Sequence, residues 1–108
     1  MPNRVASAPL TVTPPVTDNP SRQRFELSVQ GAEAFIDYLR DGNILTLTYA
    51  QVPGHLRGSG VGTMLVKGAL QIVRQRHQTV VPQCSFVAAY MARHPETHDL
   101  LAAHCQKR

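Results

Sequence analysis

The sequence contains no tryptophan, and only 6% of its 108 residues are aromatic. Aliphatic side chains must therefore fill most of the core, and a chain of this length has room for one domain. Only two cysteines are present, Cys84 and Cys105, which is too few for a disulfide framework. We therefore expect a reducing, cytoplasmic setting. No run approaches 18 apolar residues, so the sequence predicts no membrane-spanning helix and no membrane partner.

The charge is positive but scattered. The formal net charge is +4, which favours anionic partners such as nucleic acid, an anionic membrane or a phosphorylated small molecule. No aromatic residues alternate with the basic cluster Arg74, Arg76 and His77, which argues against nucleic acid. The histidines and cysteines form no zinc-binding motif, so we expect no metal site. Composition therefore does not identify the partner, and sequence motifs are needed to predict it.

Proline is concentrated at one end, with five of the eight prolines in the first 20 residues. Proline is poorly suited to helix interiors and central strands. We expect an extended, partly mobile arm over residues 1–20, a single domain over 21–104 and a frayed tail over 105–108.

Apolar and polar residues alternate over residues 25–29, which indicates a half-buried strand. An apolar run over residues 34–39 and a segment with β-branched and aromatic residues over 44–52 predict two more. Turns at Gln30-Gly31 and Asp41-Gly42 make the three strands antiparallel. After Pro53 the apolar period changes to that of a helix. The helical stripe consists of Val61, Met64, Leu65, Ala69, Ile72 and Val73.

A short β-rich run over residues 79–81 follows this helix, and a crossover of this kind predicts a strand parallel to the third. Ser85 is a candidate N-cap for a second helix over residues 86–93. The sequence therefore predicts an α+β fold, in which an antiparallel meander leads into a β-α-β-α segment.

The loop before the first helix contains three glycines in five residues, Gly58, Gly60 and Gly62. Glycine accepts left-handed backbone, so several N–H groups can point into one cavity. The following helix adds its unpaired N–H groups and the positive end of its dipole. This arrangement predicts a pyrophosphate cradle, and the alternative is a plain turn. The loop matches neither the Walker A nor the dinucleotide-binding pattern.

The same loop reads Arg57-x-x-Gly60-x-Gly62, which fits the signature [QR]-x-x-G-x-[GA]. With Val52-Pro53 before it and Cys84-Ser85-Phe86 after it, the chain resembles the small YjdJ-type subfamily of the GNAT N-acetyltransferases over about residues 16–101. The resemblance implies a reduced GNAT fold with a splayed mixed sheet. It also implies acetyl-CoA or CoA as cofactor and an amine acceptor, either a small molecule or a peptide. The cofactor-binding residues that it implies are Val52, Arg57, Gly58, Ser59, Gly60, Val61, Gly62 and Thr63.

Cys84 precedes the second helix, and the start of a helix favours the thiolate form of a cysteine. The resemblance places a candidate active-site thiol here, which could take the acetyl group from its thioester. The alternative is a buried, inert cysteine. The resemblance also makes Tyr90 a candidate proton donor and places Gln51 where relatives often carry a glutamate base.

The resemblance therefore implies an acetyl-CoA-dependent acetyltransferase in which Cys84 either relays the acetyl group or lies beside the thioester. A non-enzymatic acetyl-CoA or CoA sensor or adaptor is the main alternative. A small basic nucleic-acid-binding module is a weaker one.

Overall fold

The computed structural model describes residues 16–103, so residues 1–15 of the expected arm and the tail over 105–108 lie outside it. Its strands are β1 (Thr17–Asn19), β2 (Arg24–Val29), β3 (Ala32–Asp41), β4 (Ile44–Gln51) and β5 (Thr79–Pro82). Its α-helices are α1 (Val61–Gln75) and α2 (Ser85–Arg93), and short 3-10 helices cover Gly54–Leu56 and Pro95–Leu100. The five strands form one sheet in the order β1-β2-β3-β4-β5. No helix within residues 16–103 is both long and apolar enough to cross a membrane.

The antiparallel meander of β2, β3 and β4 is confirmed. Its first hairpin turns at Gln30 and Gly31, whose φ angles of 52° and 80° suit a two-residue turn. The second hairpin turns at Gly42 and Asn43, because Asp41 still pairs with Ile44. The turn signal was therefore read one residue too early.

The end of the expected arm forms an edge strand, since Thr17–Asn19 pairs with β2. A Cβ on Gly68 of α1 would lie 2.4 Å from a methyl group of Val16, so the glycine makes room for that side chain. Asp18 accepts hydrogen bonds from the hydroxyl of Tyr38 at 2.6 Å and from Arg76 at 2.7 Å. Residues 16–19 are thus tied to both the sheet and the helix.

The buried Tyr38 hydroxyl, which donates to Asp18, predicts that the free energy of unfolding falls at alkaline pH. Burial, followed by the hydrogen bond to Asp18, raises the pKa of Tyr38 to about 12. A raised phenol pKa stabilises the fold below pH 10, and that contribution, up to about 3 kcal/mol, is lost as pH rises towards 12. In urea unfolding between pH 8 and 11.5, Tyr38→Phe should lose stability less steeply than the wild type. Tyr49→Phe, which alters an exposed ring, is the matched control; parallel slopes for Tyr38→Phe and the wild type would refute this role.

Helix α1 packs on the core face of the sheet and begins at Val61 as expected. Leu65, Ala69 and Val73 of the expected stripe are buried, whereas Met64 is exposed. Val66, Gly68 and Leu70 are buried as well. The buried part of α1 is therefore wider than a single stripe.

Helix α2 begins at Ser85, so the expectation that Ser85 is the N-cap is wrong. The N-cap is Cys84, whose backbone is extended, with φ −69° and ψ 127°. Its carbonyl already accepts the N–H of Ala88 at 3.0 Å, which makes it the first acceptor of the helix.

Strand β5 runs parallel to β4, as expected, but pairs with it only over Ile44–Leu47. Beyond Leu47 the chain after β5 turns into α2, and the N–H of Cys84 bonds the carbonyl of Leu47 at 2.8 Å. Strand β4 continues to Gln51, so its last residues have no β5 neighbour. The predicted α+β fold with a mixed sheet is confirmed. We call the place after Leu47 where β4 and β5 separate the fork, and the sheet is open there.

Candidate functional site

A cavity of about 560 Å³ lies beside the fork. Three segments meet there: the end of β4, the glycine loop with the first turn of α1, and the start of α2. The lining residues are Ala50, Val52, Arg57, Gly58, Gly60, Gly62, Thr63 and Phe86. The fold thus gathers segments that are far apart in the sequence around one space of ligand size.

The glycine loop needs two of its glycines for their backbone conformation. Gly58 and Gly60 have φ angles of 84° and 87°, which non-glycine residues rarely adopt. Gly60 is the N-cap of α1, and the N–H of Met64 bonds its carbonyl at 3.0 Å. The N–H groups that precede this bond in the helix have no intrahelical partner and are open to a ligand.

The electrostatics of this end of the cavity favour an anion. The first turn of α1 contains no acidic residue, and no side chain within residues 16–103 caps it. The positive end of the helix dipole is therefore uncompensated. The exposed guanidinium of Arg57 adds a full positive charge, and its Nε donates to the carbonyl of Val52 at 3.4 Å. Phosphate groups suit this combination of donors and charge.

Gly62 is a glycine for a different reason. A Cβ at this position would lie 2.6 Å from Cζ of Phe86 and 3.1 Å from its Cε2. The ring of Phe86 therefore lies directly against the first turn of α1. Alanine, which the signature allows here, fits only if the ring moves.

The structure brings most of the predicted cofactor-binding residues together. Six of the eight line the cavity: Val52, Arg57, Gly58, Gly60, Gly62 and Thr63. Ser59 and Val61 do not line it. The Ser59 hydroxyl donates to the Leu56 carbonyl, and the Val61 side chain is buried in the core. Any role of these two in binding rests on their backbone groups.

Cys84 lies at the fork but inside the packing. Its side chain is 8% exposed, belongs to the hydrophobic core and does not line the cavity. It is two residues before Phe86, which does line it. The thiol is thus near the open end of the sheet but largely covered in this conformation.

Tyr90 lines a different groove, of about 170 Å³, together with Glu96. Its ring stacks on His94 with 3.9 Å between centroids. Burial, followed by the charge of Glu96, raises the pKa of Tyr90. The Tyr90 ring does not line the cavity of the glycine loop, which weighs against its role as a proton donor there.

Gln51 also lies outside the cavity. Neighbouring residues of a strand point to opposite faces of the sheet, and it is Ala50 that lines the cavity. On the other face the hydroxyl of Tyr49 donates to Gln51 Oε1 at 3.1 Å. The side chain at this position therefore points away from the site. Within residues 16–103, no group of three His, Cys, Asp or Glu side chains could hold a metal ion.

Two lining residues, Ala50 and Phe86, were not predicted as site residues. The buried residues of α2 are Val87, Tyr90 and Met91, and Phe86 lies outside that stripe. A large aromatic residue outside the buried stripe is a signal that could have found it. Ala50 carries no such signal, because a small residue in a strand becomes notable only once the fork is known.

Comparison with known proteins identifies the family. A search among curated proteins gave no match. The family model described as GCN5-related N-acetyl-transferase matches residues 24–100. The match covers well over half of the chain and includes β4, the glycine loop and the start of α2. This chain belongs to the GCN5-related N-acetyl-transferase family.

Proposed function

We propose that the protein binds acetyl-CoA in the cavity at the fork and transfers the acetyl group to an amine acceptor. The observation that carries the proposal is the meeting of the glycine loop, the uncapped start of α1 and the unpaired end of β4 around one cavity. One end of this space is rich in N–H groups and positive charge, and the rest is apolar. Family membership implies acetyl-CoA and an acceptor substrate.

Each part of the cavity suits one part of this substrate. The N–H groups of the loop and of the first turn of α1 would hold the pyrophosphate, with Arg57 adding its charge. The end of β4 around Val52 lacks a β5 neighbour. It would offer backbone groups to the pantetheine arm of CoA, which contains two amides. Bound acetyl-CoA supplies the reactive thioester. The residues present therefore fit the substrate.

The acetyl group could reach the amine through Cys84. In this step the thiolate attacks the carbonyl carbon, the bond from carbon to the CoA sulfur breaks, and CoA leaves as a thiolate that takes up a proton. The amine then attacks the acetyl-cysteine, loses a proton to solvent and releases the thiol. The position of Cys84 at the fork supports this route, and its burial requires a local movement to expose the sulfur.

A second candidate function is binding of acetyl-CoA or CoA without transfer, as in a sensor or adaptor. None of the eight residues that line the cavity carries a carboxylate, an imidazole or a thiol. A lining without a general base favours binding over direct attack by an amine.

We also propose that the chain is a small, YjdJ-type member of the family that acts in the cytoplasm, a single domain made of residues 21–104 and the edge strand β1. The resemblance implies that full-sized members of the family carry two helices after the first strand of the meander, which help to cover the acceptor. Here β2 and β3 are joined by the two-residue turn at Gln30 and Gly31, which leaves no room for them. The acceptor half is therefore reduced.

Intact-protein mass spectrometry under native conditions, with and without amines, separates these functions. An acetyltransferase should bind one acetyl-CoA and release more than one free CoA per chain only when a suitable amine is present. If the relay operates, a covalent acetyl group should appear on the protein before the amine is added. A sensor should bind the substrate and never release CoA by transfer, and failure to bind would contradict both functions.

A further inference from the structure

Phe86 is exposed, whereas the other large apolar residues of its helix are buried. Its side chain is 41% exposed, whereas Val87, Tyr90 and Met91 of the same helix are at most 5% exposed. Leaving a phenylalanine ring in water forgoes the free energy that its burial would provide. The exposed part of the ring forms part of the cavity wall. Of the four exposed large apolar residues within residues 16–103, Phe86 is the one that lines the cavity.

The Phe86 ring lies against Gly62. Its tip lies where a Cβ of residue 62 would be, at 2.6 Å, so the missing side chain forms a seat for the ring. Gly58 and Gly60 differ, because a Cβ on either would meet no atom within 4 Å. The contact joins the start of α2 to the start of α1 and fixes one wall of the cavity.

We propose that Phe86 is a ligand-contacting residue whose ring packs against the arm of CoA between the pyrophosphate and the thioester. Gly62 is then a positioning residue, kept as glycine to seat the ring rather than to admit a phosphate. This inference rests on the proposed function. The polar end of the cavity is accounted for by the loop and Arg57, so the apolar remainder is formed by Ala50, Val52 and Phe86. Phe86 offers the largest apolar surface among them.

Two ligands separate a contact with the arm from a contact with the phosphates. CoA contains the arm, and 3′-phospho-ADP is the part of CoA that lacks it. In calorimetric titration of the full chain, Phe86→Ala should weaken CoA binding about tenfold or more, because an aromatic wall is lost. Binding of 3′-phospho-ADP should change by less than about twofold. Met64→Ala, an exposed apolar residue of α1 outside the cavity lining, should leave both affinities unchanged.

The variant Gly62→Ala tests whether the missing side chain at residue 62 positions the Phe86 ring. The added methyl group displaces the far end of a half-exposed ring rather than backbone, so the thermal midpoint should stay within a few degrees of the wild type. CoA affinity should nevertheless fall, and 3′-phospho-ADP affinity should not. In the Phe86→Ala background, Gly62→Ala should cause no further loss, because the ring it displaces is gone.

Three results would overturn this inference. Unchanged CoA affinity in Phe86→Ala would mean that the ring only packs. Equal losses for both ligands would mean that it supports the loop instead of the arm. Additive losses in the double variant would assign Gly62 to the phosphates. If the wild type bound neither ligand, the proposed function would fail as well, and that result is distinct from the other three.

Discussion

Gly60→Val should reduce the affinity for CoA by at least about a hundredfold while the chain stays folded. Gly60 has a φ of 87° and forms the N-cap of α1. A β-branched residue is strained in this left-handed region, at a cost of roughly 1–3 kcal/mol. Since a Cβ there meets no atom within 4 Å, strain in the loop and not a clash with the core is the expected effect. The loop would relieve the strain by changing its path, which turns its N–H groups away from the pyrophosphate.

The matched control for this variant is Gly54→Val. Gly54 lies in the same connection between β4 and α1, has open space around it and does not have a positive φ. We expect near-wild-type affinity for this variant, measured by calorimetry. Circular dichroism should show that both variants are folded. Retained CoA affinity in Gly60→Val would reject the glycine loop as the pyrophosphate site.

Cys84→Ser should abolish acetyl transfer, with a loss of about a hundredfold or more, and keep CoA affinity within a few-fold. A serine hydroxyl is not ionised near neutral pH and needs an adjacent base to act as a nucleophile. The predicted pyrophosphate site is formed by other residues, so binding should survive. Incubation with acetyl-CoA should acetylate Cys84 and leave Cys105 unmodified.

Burial of Cys84 dictates the control for this experiment. A hydroxyl without a partner in the core costs about 1–3 kcal/mol, so loss of turnover could reflect unfolding. Cys84→Ala introduces no buried polar group, and both variants should be assayed well below their thermal midpoints. Loss of turnover in both, with CoA binding retained, supports the relay. Full turnover in Cys84→Ser would leave Cys84 a packing residue and direct attack by the amine as the remaining route.

The local signals in this sequence predicted the parts of the fold that local chemistry determines. Alternation gave β2, an apolar run gave β3, β-branched and aromatic residues gave β4, and the glycine pattern gave the loop at the start of α1. These features depend on residues close together in the chain, so they can be recognised without the fold.

The features that were missed depend on distant contacts. Thr17–Asn19 has no apolar alternation, and it is held through Val16 against Gly68 and through Asp18 against Tyr38 and Arg76. The buried face of α1 is wider than predicted because β2, β3, α2 and the second 3-10 helix all contact it.

The candidate site also combines features that local sequence predicts with features that depend on distant contacts. The loop was predicted, but the seat that Gly62 forms for Phe86 joins residues far apart in the sequence. The direction of the Gln51 side chain could not be predicted from the sequence either, because it depends on which face of β4 borders the cavity. Sequence reasoning therefore predicted the glycine-loop end of the cavity better than its apolar end.

The central claim is that the glycine loop binds the pyrophosphate of CoA. Calorimetric titration of the wild-type protein with CoA, acetyl-CoA and pantetheine tests it most directly, because pantetheine has the arm and lacks the pyrophosphate. We predict one bound molecule of CoA or acetyl-CoA per chain at micromolar or tighter affinity, with pantetheine binding at least about a hundredfold more weakly. Equal affinity for pantetheine and CoA, or no binding of CoA, would contradict the claim.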